Sequence, residues 1–249
     1  MVSIVMPAYN EAEIIAATVK EWQQEVVKKL PGAELIVVDD CSKDQTGAIL
    51  ASLADSLPGV IALSTPENSG HGRAVRFGLE RASQEFVFQT DSDKQHLPGD
   101  FLKLWGMREG NDFVLGIREA RAGELFQKLI IGCMRVWRVW NWIIWGLWMR
   151  DANCPFKLMR RDSMMRVLAR IPQKSFIPMV MVTLICRRIG FRASEAFVSH
   201  FPRSGGEQSL KGMWRWMNVS VKCLVQLVEL RASIAKGPIA SPITLSSPR

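Results

Sequence analysis

Residues 86–93 read FVFQTDSD, a short run from Phe86 to Gln89 closed by Asp91-Ser92-Asp93. A run this short, flanked by polar residues, is the pattern of a strand buried on both faces. Three similar runs precede it, Val2–Met6, Leu35–Val38 and Val60–Leu63, and another follows at Phe113–Gly116. Amphipathic stretches at residues 11–29, 47–56 and 72–82 separate the first four. Strands alternating with helices imply right-handed crossovers, hence an α/β fold with a mainly parallel, Rossmann-like sheet and flanking helices. Ligands of such sheets sit beyond the carboxyl ends of the strands, so the polar residues after each strand are the candidates for chemistry.

Four such segments stand out. Asp91 and Asp93, one residue apart in a loop, can reach one divalent cation, and hard carboxylate oxygens select Mg²⁺ or Mn²⁺. Val37-Val38-Asp39-Asp40 ends the second strand in two acids, one of which can accept from a base N–H or a ribose hydroxyl. Asp44 or Thr46, just beyond, equally suits a helix cap. Met6-Pro7-Ala8-Tyr9-Asn10-Glu11 makes the first strand-to-helix turn, with Tyr9 able to lie along a base or ribose. Asn68-Ser69-Gly70-His71-Gly72-Arg73 lets backbone approach a ligand and offers Arg73 to phosphate, although a plain turn explains the glycines as well.

Charge divides the chain. Residues 1–117 hold 10 Lys/Arg against 17 Asp/Glu, whereas residues 118–249 hold 22 against 7 and seven of the nine tryptophans. A basic half with aromatics suits phosphate or an anionic membrane face; charge alone leaves nucleic acid open. The five cysteines are scattered, which points to reduced thiols rather than zinc or disulfides. The N-terminus runs straight into a strand, so no signal peptide is expected. Hydrophobic residues make up 48% of 249, enough for one sizeable domain, here residues 1–235, followed by a Pro/Ser-rich tail at 236–249 expected to be disordered.

Residues 125–149 are long enough to span a bilayer, but Lys128, Arg135, Arg138 and Asn141 fall on one side of a helical wheel. The expectation is a helix in the interface plane with Trp142, Trp145 and Trp148 at headgroup depth, with a buried core helix as the alternative. A second amphipathic helix is expected at residues 210–230, with Leu210, Met213, Trp214, Met217, Val221, Leu224 and Val228 on its apolar face.

VSIVMPAYNE, IVVDDCSKDQT, NSGHGRAVRFG and QTDSD, in that order, resemble the family 2 glycosyltransferases of GT-A fold. The resemblance is closest to the dolichyl- and polyprenyl-phosphate sugar synthases, through Asp91, Asp93, Gln95 and His96, then Gly116-Ile117-Arg118, Asp151 and Phe156-Lys157, and the basic segment from Arg203 to Ser209. It implies a nucleotide-sugar donor around Pro7, Tyr9, Glu11, Asp39, Asp40, Gly70, Arg73 and Ser92. It further implies Mg²⁺ or Mn²⁺ on Asp91 and Asp93 with help from Gln95, and a polyprenyl phosphate held by Arg118, with Arg121 or Lys128. Arg203 would close over the donor phosphates, and Asp151 would serve as an orienting group or a structural acid. It implies peripheral attachment to the cytoplasmic face of a membrane and no nucleic-acid partner, and leaves room for a homo-oligomer or a separate membrane partner. The chain lacks the Glu-Asp dipeptide where many inverting relatives carry a base, and the Gln-x-x-Arg-Trp of processive synthases. A phosphate acceptor is already an anion and needs orientation more than a base. The other readings are a family member with a hydroxyl acceptor, and a non-catalytic membrane-surface or nucleic-acid-binding protein.

Overall fold

The computed structural model describes residues 1–118, 139–140, 142–202 and 213–235, with side chains in the last stretch from 218 to 234. The elements in order are β1 (Val2–Ala8), α1 (Ile15–Glu25), β2 (Glu34–Asp39), α2 (Thr46–Ser56), β3 (Val60–Ser64), α3 (His71–Arg81), β4 (Phe86–Gln89), α4 (Pro98–Gly106), β5 (Phe113–Arg118), β6 (Lys157–Arg160), α5 (Arg161–Leu168), α6 (Pro178–Arg188), β7 (Ala193–Val198) and α7 (Met213–Ala235). The strands form one seven-stranded sheet ordered β3-β2-β1-β4-β6-β5-β7. All neighbours are parallel except β6, which runs antiparallel to β4 and β5.

Alternation along each strand divides the core into two layers. Ile4, Met6, Leu35, Val37, Phe88 and Leu158 face α1, α2 and α4. Val5, Ile36, Val38, Val87, Leu115 and Met159 face α3, α5, α6 and α7. The first layer is dominated by rings: Phe88 lies 5.8 Å from Trp22, 4.8 Å from Phe101 and 4.9 Å from Phe156 between centroids. In the second, α3 lies close against the sheet because Gly78 has no side chain; a Cβ there would come within 2.5 Å of Val5 and 2.9 Å of Val38.

The chain turns back at β1: β2 and β3 lie to one side, β4 to the other. That switch point opens a crevice at the strands' carboxyl ends. It brings the loops after β1, β2, β3 and β4 to one rim.

The five expected strands are present, each with its core run as read. β6, β7 and helices α4, α5 and α6 lie beyond that reading. The first amphipathic expectation changes. Much of the 125–149 segment lies outside the described residues, as do the 236–249 tail and Arg121, Lys128 and Arg203. Of the remainder, Trp142 and Trp148 are exposed, whereas Trp145 is 1% exposed and packs in the core with Leu227 and Leu230. Gly146, at φ +65°, ends the helical turn there, so an unbroken helix to Met149 does not form. On α7 the packed face is Cys223, Leu227 and Leu230, while Val221, Val225 and Val228 stay exposed. Val221 and Val228 belong to the apolar face expected there; the helix is apolar on two faces, and the second one packs on the core.

Candidate active site

The rim is held together by side chains donating to, and accepting from, the neighbouring loop. In the loop after β1, Asn10 adopts φ +52° and donates its N–H to Ser42 Oγ at 2.9 Å, while its Oδ1 accepts from Lys43 N–H at 2.9 Å. Glu11 N–H donates to Thr46 Oγ1 at 2.8 Å, and Ala12 N–H to Asp44 at 3.1 Å. Asp44 also accepts from Thr46 N–H at 2.9 Å, capping the start of α2. Burial raises its carboxyl pKa, but the bonds from Thr46 and Ala12 outweigh that and hold it below the usual value.

The two acids at the end of β2 play different parts. Asp40 is spent on the fold: Oδ1 accepts from Thr65 Oγ1 (2.9 Å), Ser69 N–H (3.0 Å) and Ser69 Oγ (2.8 Å), and Oδ2 accepts from Gly70 N–H at 2.7 Å. It thereby clamps the 65–70 loop, where Gly70 sits at φ +85°. Asp39 accepts from Ser42 through Oδ1, and its Oδ2 carries no hydrogen bond among the described residues. Gly47 leaves that oxygen open, since a Cβ there would sit 3.0 Å from it. Pro7 is buried in β1 opposite Val38, and Tyr9 stands half-buried at the crevice mouth. Arg73, in the first turn of α3, reaches Glu67 at 3.7 Å with both side chains largely exposed.

Beyond β4, Asp91 accepts from Gln89 Nε2 at 3.2 Å and lies 3.7 Å from His71 Nε2. Asp93 accepts from Gln95 N–H at 3.2 Å. Ser92 is buried, and its carbonyl accepts from Thr18 Oγ1 at 3.3 Å, anchoring the loop to α1. Gln95 Nε2 donates to Phe201 O at 3.3 Å, and Phe201 N–H returns a bond to Gln95 O at 2.9 Å. His96, buried against Phe156, meets Ser199 O at 2.8 Å. Burial lowers its pKa, so the ring is neutral near pH 7. This pairing ties the acidic loop to residues 199–201. The donor set fits a hard divalent cation: two carboxylates in one loop, Asp91 with its side chain 30% exposed. No group of three His, Cys, Asp or Glu able to hold a metal occurs among the described residues, so further ligands would come from a bound substrate, Gln95 or water.

Arg118 and Asp151 meet at the end of β5. Nε donates to Oδ2 at 2.7 Å and Nη2 to Oδ1 at 2.8 Å, while the Arg118 backbone N–H also points at Oδ2 at 3.3 Å. Asp151's side chain is 2% exposed and Arg118's 20%. Nη1 carries no hydrogen bond among the described residues.

Lys157, on β6 opposite Gln89, was singled out in the sequence only as part of the Phe-Lys resemblance. Its side chain is buried, Nζ donates to Ala152 O at 2.8 Å, and burial pulls its pKa down to about 8. With His71, Gln89, Asp91, Asn153 and Phe176 it lines a cavity of about 170 Å³. The signal available in the sequence was a lone charge inside the otherwise apolar strand pattern around residues 156–159.

The family model of glycosyl transferase family 2 matches residues 3–168. The chain is 28% identical over 228 residues to an undecaprenyl-phosphate 4-deoxy-4-formamido-L-arabinose transferase of Serratia proteamaculans, covering 90% of this chain and 67% of that protein. It is 26% identical over 238 residues to a dolichyl-phosphate beta-glucosyltransferase of Trichomonas vaginalis, covering 90% and 72%. In fold it is similar to glucosyl-3-phosphoglycerate synthase from Mycobacterium tuberculosis bound to UDP, with a TM-score of 0.64, 17% identity and 93% and 80% coverage. It is similar also to a mannosyltransferase from Pyrobaculum calidifontis bound to GDP-Man and Mn²⁺, with a TM-score of 0.61, 19% identity and 97% and 65% coverage. With the family model spanning about two thirds of its length and a GT-A sheet carrying the matched motifs, the chain belongs to glycosyl transferase family 2 and is a glycosyltransferase.

Proposed function

We propose that this glycosyltransferase moves a sugar from a nucleoside-diphosphate sugar to a polyprenyl phosphate at a membrane surface. The observation that carries the reading is the Asp91/Asp93 loop after β4 together with the Asp151-braced Arg118 at the end of β5, with Arg118 and Asp91 in electrostatic reach. The printed names of the undecaprenyl- and dolichyl-phosphate relatives support the acceptor class. The neighbours bound to UDP or to GDP-Man and Mn²⁺ support the donor class and a divalent cation.

Asp39, with one carboxylate oxygen open, accepts from the base or ribose; Pro7, Tyr9 and Glu11 shape the same end, and Asp40 holds Ser69 and Gly70 against it. When bound, Mg²⁺ or Mn²⁺ on Asp91 and Asp93 neutralises charge on the leaving diphosphate. Arg118 turns Nη1 to the acceptor phosphate, and Asp151 fixes the plane of the guanidinium. The phosphate oxygen attacks the anomeric carbon, the bond to the diphosphate breaks, and the nucleoside diphosphate departs with the electron pair. No proton has to be removed from the acceptor, which suits the absence of a Glu-Asp base. Arg203, outside the described residues, would add charge over the diphosphate.

Among the described residues no helix is long and apolar enough to cross a membrane. Exposed Trp140, Trp142, Ile143 and Trp148, in the basic half, support attachment in the interface. The test is a panel of UDP- and GDP-sugars with undecaprenyl and dolichyl phosphate and Mg²⁺ or Mn²⁺, read by mass spectrometry. A glycosyl-phosphoryl lipid from one pair is the expected product; hydrolysis alone across the panel would refute the reading.

A further inference from the structure

We propose that the cavity floored by Lys157 receives the sugar ring of the donor, with Lys157 and Asn153 contacting its hydroxyls and Phe176 covering one face. The assignment rests on the donor reading above and deepens it by naming residues for the sugar.

Lys157 is hard to explain as a structural residue. It is 2% exposed on a central strand, and among the described residues no carboxylate lies within ion-pairing distance of it. Among the described residues one of its three N–H donors is used, on Ala152 O. Burying an ammonium with two unmet donors is costly, and an aliphatic residue would fill a strand position next to Leu158 without that cost. The side chain instead borders a cavity beside Asp91, where a metal-bound diphosphate would end and its sugar would begin.

The walls match a sugar. The lining combines polar groups from His71, Gln89, Asn153 and Lys157 with apolar ones from Ile177, Pro178 and Met179. A pyranose has that combination, hydroxyls at its edge and C–H groups on its face. The volume of about 170 Å³ is below the roughly 300–1,000 Å³ of a drug-sized site, which suits one ring. The shape is fixed by Gly72: a Cβ there would lie 2.4 Å from Ser175 O and 2.5 Å from Phe176 O, so the 175–176 loop rests directly on the first turn of α3. Phe176, 42% exposed, is further held by its N–H donating to Gln226 Oε1 at 3.1 Å.

The experiment compares binding of UDP and GDP with binding of the corresponding nucleotide-sugars, by calorimetry on the full chain with Mn²⁺. Lys157→Met should leave the nucleoside diphosphate Kd within about twofold of wild type and weaken the nucleotide-sugar at least tenfold. Asn153 and Phe176 lie in loops with exposed side chains, so Asn153→Ala and Phe176→Ala should fold regardless and weaken the nucleotide-sugar selectively, by severalfold. Equal weakening of both ligands by Lys157→Met would assign the lysine to the diphosphate and overturn the proposal. No selective loss in Asn153→Ala and Phe176→Ala would also overturn it, whether or not Lys157→Met folds. Failure of wild type to bind either nucleoside diphosphate would instead refute the donor reading on which the assignment stands.

Discussion

Arg118 and Asp151 form a two-point ion pair, with Nε and Nη2 of one meeting Oδ2 and Oδ1 of the other at 2.7 and 2.8 Å. The sequence reading treated the two as separate candidates; the fold makes them one unit. Arg118→Lys keeps the charge but loses the planar fork. The expected result is a lower melting temperature and a 10- to 150-fold drop in acceptor kcat/KM, corresponding to roughly 1.5–3 kcal/mol for a charge-assisted contact, with donor Kd unchanged. A drop in melting temperature with donor and acceptor parameters equally reduced would make the pair purely structural.

Asp39 and Asp40 are adjacent in sequence and opposite in use. Asp40→Ala strands four donors, so it should cost roughly 3 kcal/mol and lower the melting temperature by about 6–12 °C in a chain of this size. Asp39→Ala should weaken nucleotide binding with a much smaller thermal effect. Thermal melts beside nucleotide titrations separate the two; identical behaviour of both variants would contradict the division.

Asp91 has a side chain 30% exposed in a polar loop. Asp91→Asn should fold with a melting temperature close to wild type and lose most turnover, because the metal site loses a charged ligand. Near wild-type turnover at saturating donor would remove the metal from the account.

Lys157 makes stability depend on alkaline pH. Burial is the main cause of its lowered pKa, about 8 against 10.5, with Cys154, Asp151 and Asp91 acting to raise it and Arg118 to lower it. Between those values the unfolded chain binds the proton more readily than the folded one, so wild type gains stability as pH rises from 8 toward 10.5 and bears the full cost below 8. Lys157→Met removes a term worth up to roughly 3 kcal/mol. Its melting temperature relative to wild type should therefore be highest near pH 7 and decline toward pH 10. A difference independent of pH would show that the lysine's pKa is the same in the folded and unfolded chain, so that burial does not shift it.

The sheet was legible because its strands are continuous apolar runs, and the rim because polar residues follow them at once. β6 was not: KLMR is four residues long and begins with the buried Lys157, a charge that masks the strand pattern. Trp145 was placed at headgroup depth because a tryptophan among tryptophans carries no local mark of which side faces the core; membership of a core layer that includes Leu227 and Leu230, some eighty residues on, decides it. The acids at 39 and 40 were found as a pair, but the choice between ligand and clamp depends on Thr65, Ser69 and Gly70, contacts that arise only when the loop after β3 folds back.

The central claim is the phosphate acceptor, and it is tested most directly by offering the full chain equal amounts of a polyprenyl phosphate and the corresponding free polyprenol, with the donor selected by the panel. The account predicts product on the phosphate and none above background on the alcohol, with Arg118→Lys reducing the former. Glycosylation of the free polyprenol at a comparable rate would contradict it.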